Sequence, residues 1–202
     1  FEDKDRKLNI EIGGSVSYLL SRLKLHNGLP EKSHITGSPG GGIEIRVSNL
    51  PLISPKFSFS SQVIYYNVLY SYDTLTVYIN DTRMFGIQYL RVPVRLDYRF
   101  SHNRLSPFIS AGMTFDIRMS YKEYDHYLVN LVTEHYDYLI GLSRFQWGLN
   151  TGVGLIYKIN PRISLKLFTE YEYGFRFFGA FQSDKSNNND YFIQTSVLFN
   201  LN

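Results

Sequence analysis

The chain has 202 residues and a mass of 23.5 kDa, the size of one ordinary domain or one closed barrel. Aromatic residues make 16% of it and charged residues only 19%, so it has ample apolar area to bury and is no disordered chain. A formal net charge of +3 is too weak and too scattered for a nucleic-acid partner, and the absence of cysteine removes thiolate metal sites and disulfide scaffolds.

The mean hydropathy is −0.20, and the longest charge-free stretch, residues 57–72, is broken by serines, a glutamine and an asparagine. A membrane-spanning helix needs about 20 mainly apolar residues, which this stretch does not supply. A period of two dominates instead. The first predicted strand, residues 8–20, sets Leu8, Ile10, Ile12, Val16 and Tyr18 against Glu11, Gly13, Ser15 and Ser17. The second, 41–47, sets Ile43, Ile45 and Val47 against Gly42, Glu44 and Arg46. The third, 57–65, alternates Phe57, Phe59 and Val63 with Ser58, Ser60 and Gln62. The fourth, 90–100, alternates Leu90, Val92, Val94, Leu96 and Tyr98 with Arg91, Pro93, Arg95, Asp97 and Arg99.

The fifth, 107–119, sets Ile109, Met113, Phe115 and Ile117 against Gly112, Asp116 and Arg118. The sixth, 145–159, opposes Trp147, Leu149, Val153 and Leu155 to Gly148, Gly152, Gly154 and Lys158. The seventh, 163–177, opposes Leu165, Leu167, Tyr171 and Tyr173 to Lys166, Glu170, Glu172, Gly174 and Arg176. The eighth, 191–201, opposes Ile193, Val197 and Phe199 to Gln194, Ser196 and Asn200. Long connections at 21–39, 71–85, 122–144 and 178–190 alternate with short ones at 49–56, 101–105 and 160–162. This predicts an all-β, eight-stranded antiparallel up-and-down barrel occupying residues 1–202 as one domain, with both termini on the short-turn side. The start, Phe1-Glu2-Asp3-Lys4, reads as a mature or trimmed terminus, and residues 1–7 are expected to form an N-terminal periplasmic segment.

The stripes decide which face is outside. The apolar stripe carries no charge, and its bulky aromatics would overfill an eight-stranded interior. The other stripe carries small residues and charges of both signs, and an Arg or Lys facing lipid near the midplane would cost about 2–4 kcal/mol. The reading is therefore a transmembrane barrel with a filled polar lumen. Its expected luminal charge network is Glu11, Glu44, Arg46, Arg91, Arg95, Asp97, Arg99, Asp116, Arg118, Lys158, Lys166, Glu170, Glu172 and Arg176. Pro93, mid-strand, is expected at a bulge that bends the wall.

The stretch from Tyr89-Leu90-Arg91-Val92-Pro93-Val94 through Tyr98-Arg99-Phe100, followed by Pro107-Phe108-Ile109-Ser110-Ala111-Gly112, resembles the PorT-like outer-membrane β-barrel family of Bacteroidota. Trp147-Gly148-Leu149-Asn150-Thr151-Gly152 and Tyr171-Glu172-Tyr173-Gly174 are similar to that family's penultimate hairpin. The resemblance implies an outer-membrane location and a role in secretion or as an accessory subunit of an envelope complex. It brings no catalytic motif.

Function candidates divide three ways. The first is a non-enzymatic accessory or structural subunit of a larger secretion, assembly or transport complex. Its partners would be outer-membrane lipid or lipopolysaccharide and other outer-membrane proteins, met through a tyrosine-rich loop carrying Tyr121, Tyr124, Tyr127, Tyr136 and Tyr138. The second is a rim enzyme on lipid A or phospholipid, casting Glu134, His135 and Ser143 as a catalytic group. The third is a small pore, which a side-chain-filled eight-stranded barrel disfavours. The histidines His26, His34, His102, His126 and His135 sit in connections without metal-ligand spacing, and no cofactor or metal is expected.

Overall fold

The computed structural model describes residues 7–22, 35–50, 53–76, 79–127, 130–132, 144–175 and 187–201. Side chains are described within these except at 21–22, 35–36, 69–76, 79–85, 121–127, 130–132, 174–175 and 187–189. The strands are β1 (Asn9–Arg22), β2 (Ile35–Ser48), β3 (Phe57–Thr76), β4 (Ile79–Arg99) and β5 (Leu105–Tyr127). They continue as β6 (Asn130–Val132), β7 (Phe145–Asn160), β8 (Ile163–Phe175) and β9 (Asn187–Asn200). Sequence neighbours pair antiparallel, β7 pairs with β5, and β1 pairs with β9 from Glu11↔Asn200 to Arg22↔Asn189. The long strands thus close into an eight-stranded barrel, with short β6 attached, among the described residues, to the end of β5 away from the short turns. Closure removes the edges within the barrel, which lets its backbone groups pair with one another without water.

Several strands outrun their predicted bounds. Residues 71–76 and 79–85, expected within a loop at 71–85, continue β3 and β4 as a ladder that ends at Thr76↔Ile79. Residues 122–127, also expected as loop, prolong β5, and β6 folds back on them at Tyr127↔Asn130. β2 starts at Ile35 rather than Gly41. The hydrophobic alternation stops where lipid would stop, because a strand standing in water has no apolar side to mark, yet its ladder continues. Among the described residues the β2–β3 ladder ends at Gly40↔Tyr66, so the β3–β4–β5–β6 sheet rises beyond the rest of the rim.

Pro93 is not at a bulge. It points inward opposite Thr114, and the register is the same on both sides of it, from Ser61↔Val94 to Ile64↔Arg91. The register shift lies instead at Gln88/Tyr89, on the β5 side of β4.

Outward positions form a continuous apolar band: Val16, Ile43, Val63, Val94, Ile109, Leu149, Val153, Leu167 and Ile193 are all exposed. Aromatic contacts flank the band. Phe57–Tyr98 and Tyr98–Phe100 ring pairs, at 5.1 and 5.4 Å, lie toward the short turns, and Tyr171–Tyr191, at 5.1 Å, lies toward the far end. This is the girdle-and-band surface of a barrel seated in a bilayer.

The interior is less uniformly polar than the sequence suggests. Phe108, Ile156 and Phe168 form a buried apolar cluster, and Ile64, Val68, Phe192 and Leu198 also point in. The Phe108 and Phe168 rings stack at 5.5 Å, and both residues pair with Gly154 in register, one from each side. A Cβ at Gly154 would meet the Phe108 ring and the Leu167 carbonyl oxygen at 2.5 Å, so only glycine leaves room for the stack there.

Candidate functional site

The β-strand period places residues i, i+2 and i+4 on one face, so the alternate positions of β1, β2, β4, β5, β8 and β9 converge inside the barrel. Three charge clusters result, stacked along the barrel axis. Nearest the short turns, Arg46 and Glu11 pair at 2.6 Å, and Ser164 donates to Glu11 at 3.4 Å. Above them, Lys166 Nζ donates to Glu44 at 2.6 Å and stands 3.7 Å from Asp97. Ser196 donates to the other oxygen of Glu44 at 2.6 Å, and Ser110 donates to Asp97 at 2.7 Å. Higher still, Glu170 accepts from Arg95 Nε at 2.5 Å and from Arg91 at 3.3 Å. Arg91 also pairs with Glu172 and stands 3.6 Å from Asp116.

Aromatic rings cap these cations. The Arg91 guanidinium lies 3.6 Å from the Phe192 ring centroid, Arg95 lies 4.9 Å from Phe168, and Lys166 Nζ lies 5.2 Å from both Phe108 and Phe168. A desolvated cation over a ring is worth about 2 kcal/mol or more, which offsets part of the cost of burying it. Arg46, Glu44, Lys166 and Glu170 rank among the largest fully buried side chains, so the charges are spent on one another.

Of the remaining sequence-predicted network, Arg99 is buried and Arg118 and Lys158 are half-buried, and none of the three makes an ion pair among the described residues. Lys158 Nζ donates to the His102 carbonyl at 3.3 Å, so it bends toward the turn rather than into the clusters. Arg176 lies outside the described residues. Sequence reasoning missed Asp190, which is buried and faces Glu172 across the β8–β9 ladder. Its parity with Phe192, Gln194 and Ser196 was the available signal. It also missed the aromatic caps, because an inward Phe interrupts a polar stripe without announcing a role.

The sequence matches the family model of the outer membrane protein beta-barrel domain over residues 1–178. The chain belongs to this family. OprG from Pseudomonas aeruginosa is similar in fold, with a TM-score of 0.58 at 12% identity over 96% of this chain and 95% of that one. The outer membrane protein AlkL matches at a TM-score of 0.54 and 12% identity, over 100% of this chain and 93% of that one. Neisserial surface protein A matches at 0.53 and 12%, over 94% and 96%. No curated protein matches the sequence.

For an outer-membrane barrel of this family the charged clusters act as struts. They span the lumen between strands far apart in sequence and leave the Phe108–Phe168 level closed by side chains. The tyrosine-rich segment is divided: Tyr121, Tyr124 and Tyr127 stand on the raised part of β5, with side chains outside the described residues, and Tyr136 and Tyr138 lie outside them altogether. Glu134, His135 and Ser143 lie outside them too, as do His26 and His34. His102 is exposed in the β4–β5 turn, its Nε2 3.0 Å from the Pro55 carbonyl oxygen.

Proposed function

We propose that this outer-membrane barrel is a non-enzymatic structural or accessory subunit of a larger outer-membrane complex. The observation that carries the reading is the raised β3–β4–β5–β6 sheet. Beyond Tyr66, β3 has no β2 partner among the described residues, so among them that side of the sheet presents a row of unpaired backbone donors and acceptors. Such an edge accepts an added strand from a partner, and its Val68-Leu69-Tyr70-Ser71-Tyr72 sequence carries no charge or proline to block pairing. The closed lumen supports the same reading, since the cross-lumen ion pairs and the Phe108–Phe168 level fill the space a path would need. In this proposal the short turns and termini lie in the periplasm and the raised sheet stands outside. The motif from Tyr89 to Gly112 supports a PorT-like lineage in Bacteroidota and a role near secretion.

Photo-crosslinking residues placed at Tyr70 and Tyr124 in native envelopes test the reading. A discrete protein adduct that disappears when residues 69–83 are replaced by a two-residue turn is expected. Adducts to lipid alone, with purification as a lone monomer, would overturn it.

A further inference from the structure

An apolar groove of about 660 Å³ runs down the outer wall, between Phe100 and Pro107 at its short-turn end and Val153, Leu155, Leu167 and Ile193 higher up. The register explains it. Leu155 faces Leu167 on one side and Pro107 on the other, and Gly154, lacking a side chain, leaves the Phe108 and Phe168 rings as the floor. Its volume lies within the roughly 300–1,000 Å³ of ligand clefts.

The end of the groove is basic. One strand step below Leu155, on the same outward face, the Arg104 guanidinium lies 5.0 Å from the Tyr157 ring centroid, and Arg104 Nε donates to the Lys158 carbonyl at 3.3 Å. Lys56 repeats the arrangement on the neighbouring hairpin, its Nζ 5.9 Å from the ring of outward-facing Tyr98. Two cations are thus pinned against girdle tyrosines at the level where headgroups lie. Arg162 adds a third exposed cation in the β7–β8 turn, and among the described residues of this rim no carboxylate is exposed; the nearest, Glu11 and Asp97, are buried inside.

We infer that the groove holds an acyl chain of an anionic glycerophospholipid from the leaflet at the short-turn end, with its phosphate against Arg104. The apolar groove continues the lipid-facing band, and the exposed charges among the described residues of the rim are cations, which favours an anionic headgroup over a zwitterionic one. A guanidinium held by a ring and a carbonyl meets a phosphate with little further ordering cost, and its remaining donors match the phosphate oxygens. The choice of a glycerophospholipid over lipid A rests on the periplasmic placement of the short turns proposed above.

Native mass spectrometry of the full chain, released from nanodiscs holding phosphatidylglycerol, phosphatidylcholine and lipid A with matched acyl chains, tests it. Retained lipid should be enriched in phosphatidylglycerol about fivefold over the bulk mixture, the equivalent of the roughly 1 kcal/mol that one Arg or Lys contributes at an anionic surface. Arg104→Gln should bring the enrichment close to the bulk ratio, Arg104→Lys should keep most of it, and both variants should show normal heat-modifiable mobility on gels. Val153→Trp, which fills the groove from its outward side, should lower retention of either phospholipid. Retained lipid that mirrors the bulk mixture, a preference for lipid A, or an enrichment untouched by Arg104→Gln would overturn the inference.

Discussion

Lys166 is the cation at the centre of the middle charge cluster. It is the cation that both Glu44 and Asp97 approach, at 2.6 and 3.7 Å, and it is almost wholly buried. Lys166→Met should therefore destabilise the folded barrel by about 3–5 kcal/mol, the range for stranding a buried partner charge. Adding Glu44→Gln should recover a large part of that loss, because the Ser196 and Gln194 donors can still serve an amide oxygen. Urea midpoints in lipid vesicles compare the two; a double variant less stable than the single one would contradict the pairing. Gly154 is the steric counterpart. Gly154→Ala places a methyl 2.5 Å from a backbone oxygen that cannot move aside, and a loss of about 1–3 kcal/mol is expected in the same measurement.

At the scale of strands, the two faces of β8 give opposite outcomes. Leu165 is exposed in the apolar band and Lys166 is interior. Leu165→Arg should cost about 2–4 kcal/mol if the site is near the midplane and should impair folding into vesicles, read by gel mobility. Lys166→Leu should insert normally despite its lower stability. Normal folding of the first with failure of the second would mean that the faces are reversed. The strands were legible within the bilayer because lipid on one side and a packed lumen on the other enforce a strict period of two. Leu165, Leu167 and Lys166 declare their faces in this way. The raised parts of β3, β4 and β5 were not legible, because the sequence through Tyr72, Asp73 and Thr74 keeps no alternation that would mark a strand. The charged clusters could be named as residues but not as pairs. Which carboxylate meets Arg95 depends on strand tilt and rotamers across the lumen, and no spacing along β4 encodes Glu170. Phe168 was hidden for the opposite reason, being an apolar residue on the polar side of its strand.

For the whole molecule, closure by side chains has an electrical consequence. The apolar level at Phe108, Ile156 and Phe168 and the paired charges around it should leave the barrel without steady ion conductance in planar bilayers. Phe108→Ala and Phe168→Ala together would open that level. Conductance that appears only in the double variant would locate the barrier there, whereas steady conductance in the unaltered protein would contradict a filled lumen.

The ion pairs also carry information about time. Arg95 and Glu170 are 75 positions apart, Lys166 and Glu44 are 122 apart, and the seam that joins β1 to β9 brings together the two ends of the described chain. None of these cross-lumen contacts can exist in a sheet that is still open, so they form after the slow step in which distant strands meet. A contact made late leaves the folding rate nearly unchanged and sets how long the finished molecule lasts. Arg95→Met should thus unfold many times faster while folding within about twofold of the unaltered rate, since its lost energy falls on the unfolding limb. The luminal charges are in this sense a latch: they contribute little to the barrel's closing and govern its lifetime once shut.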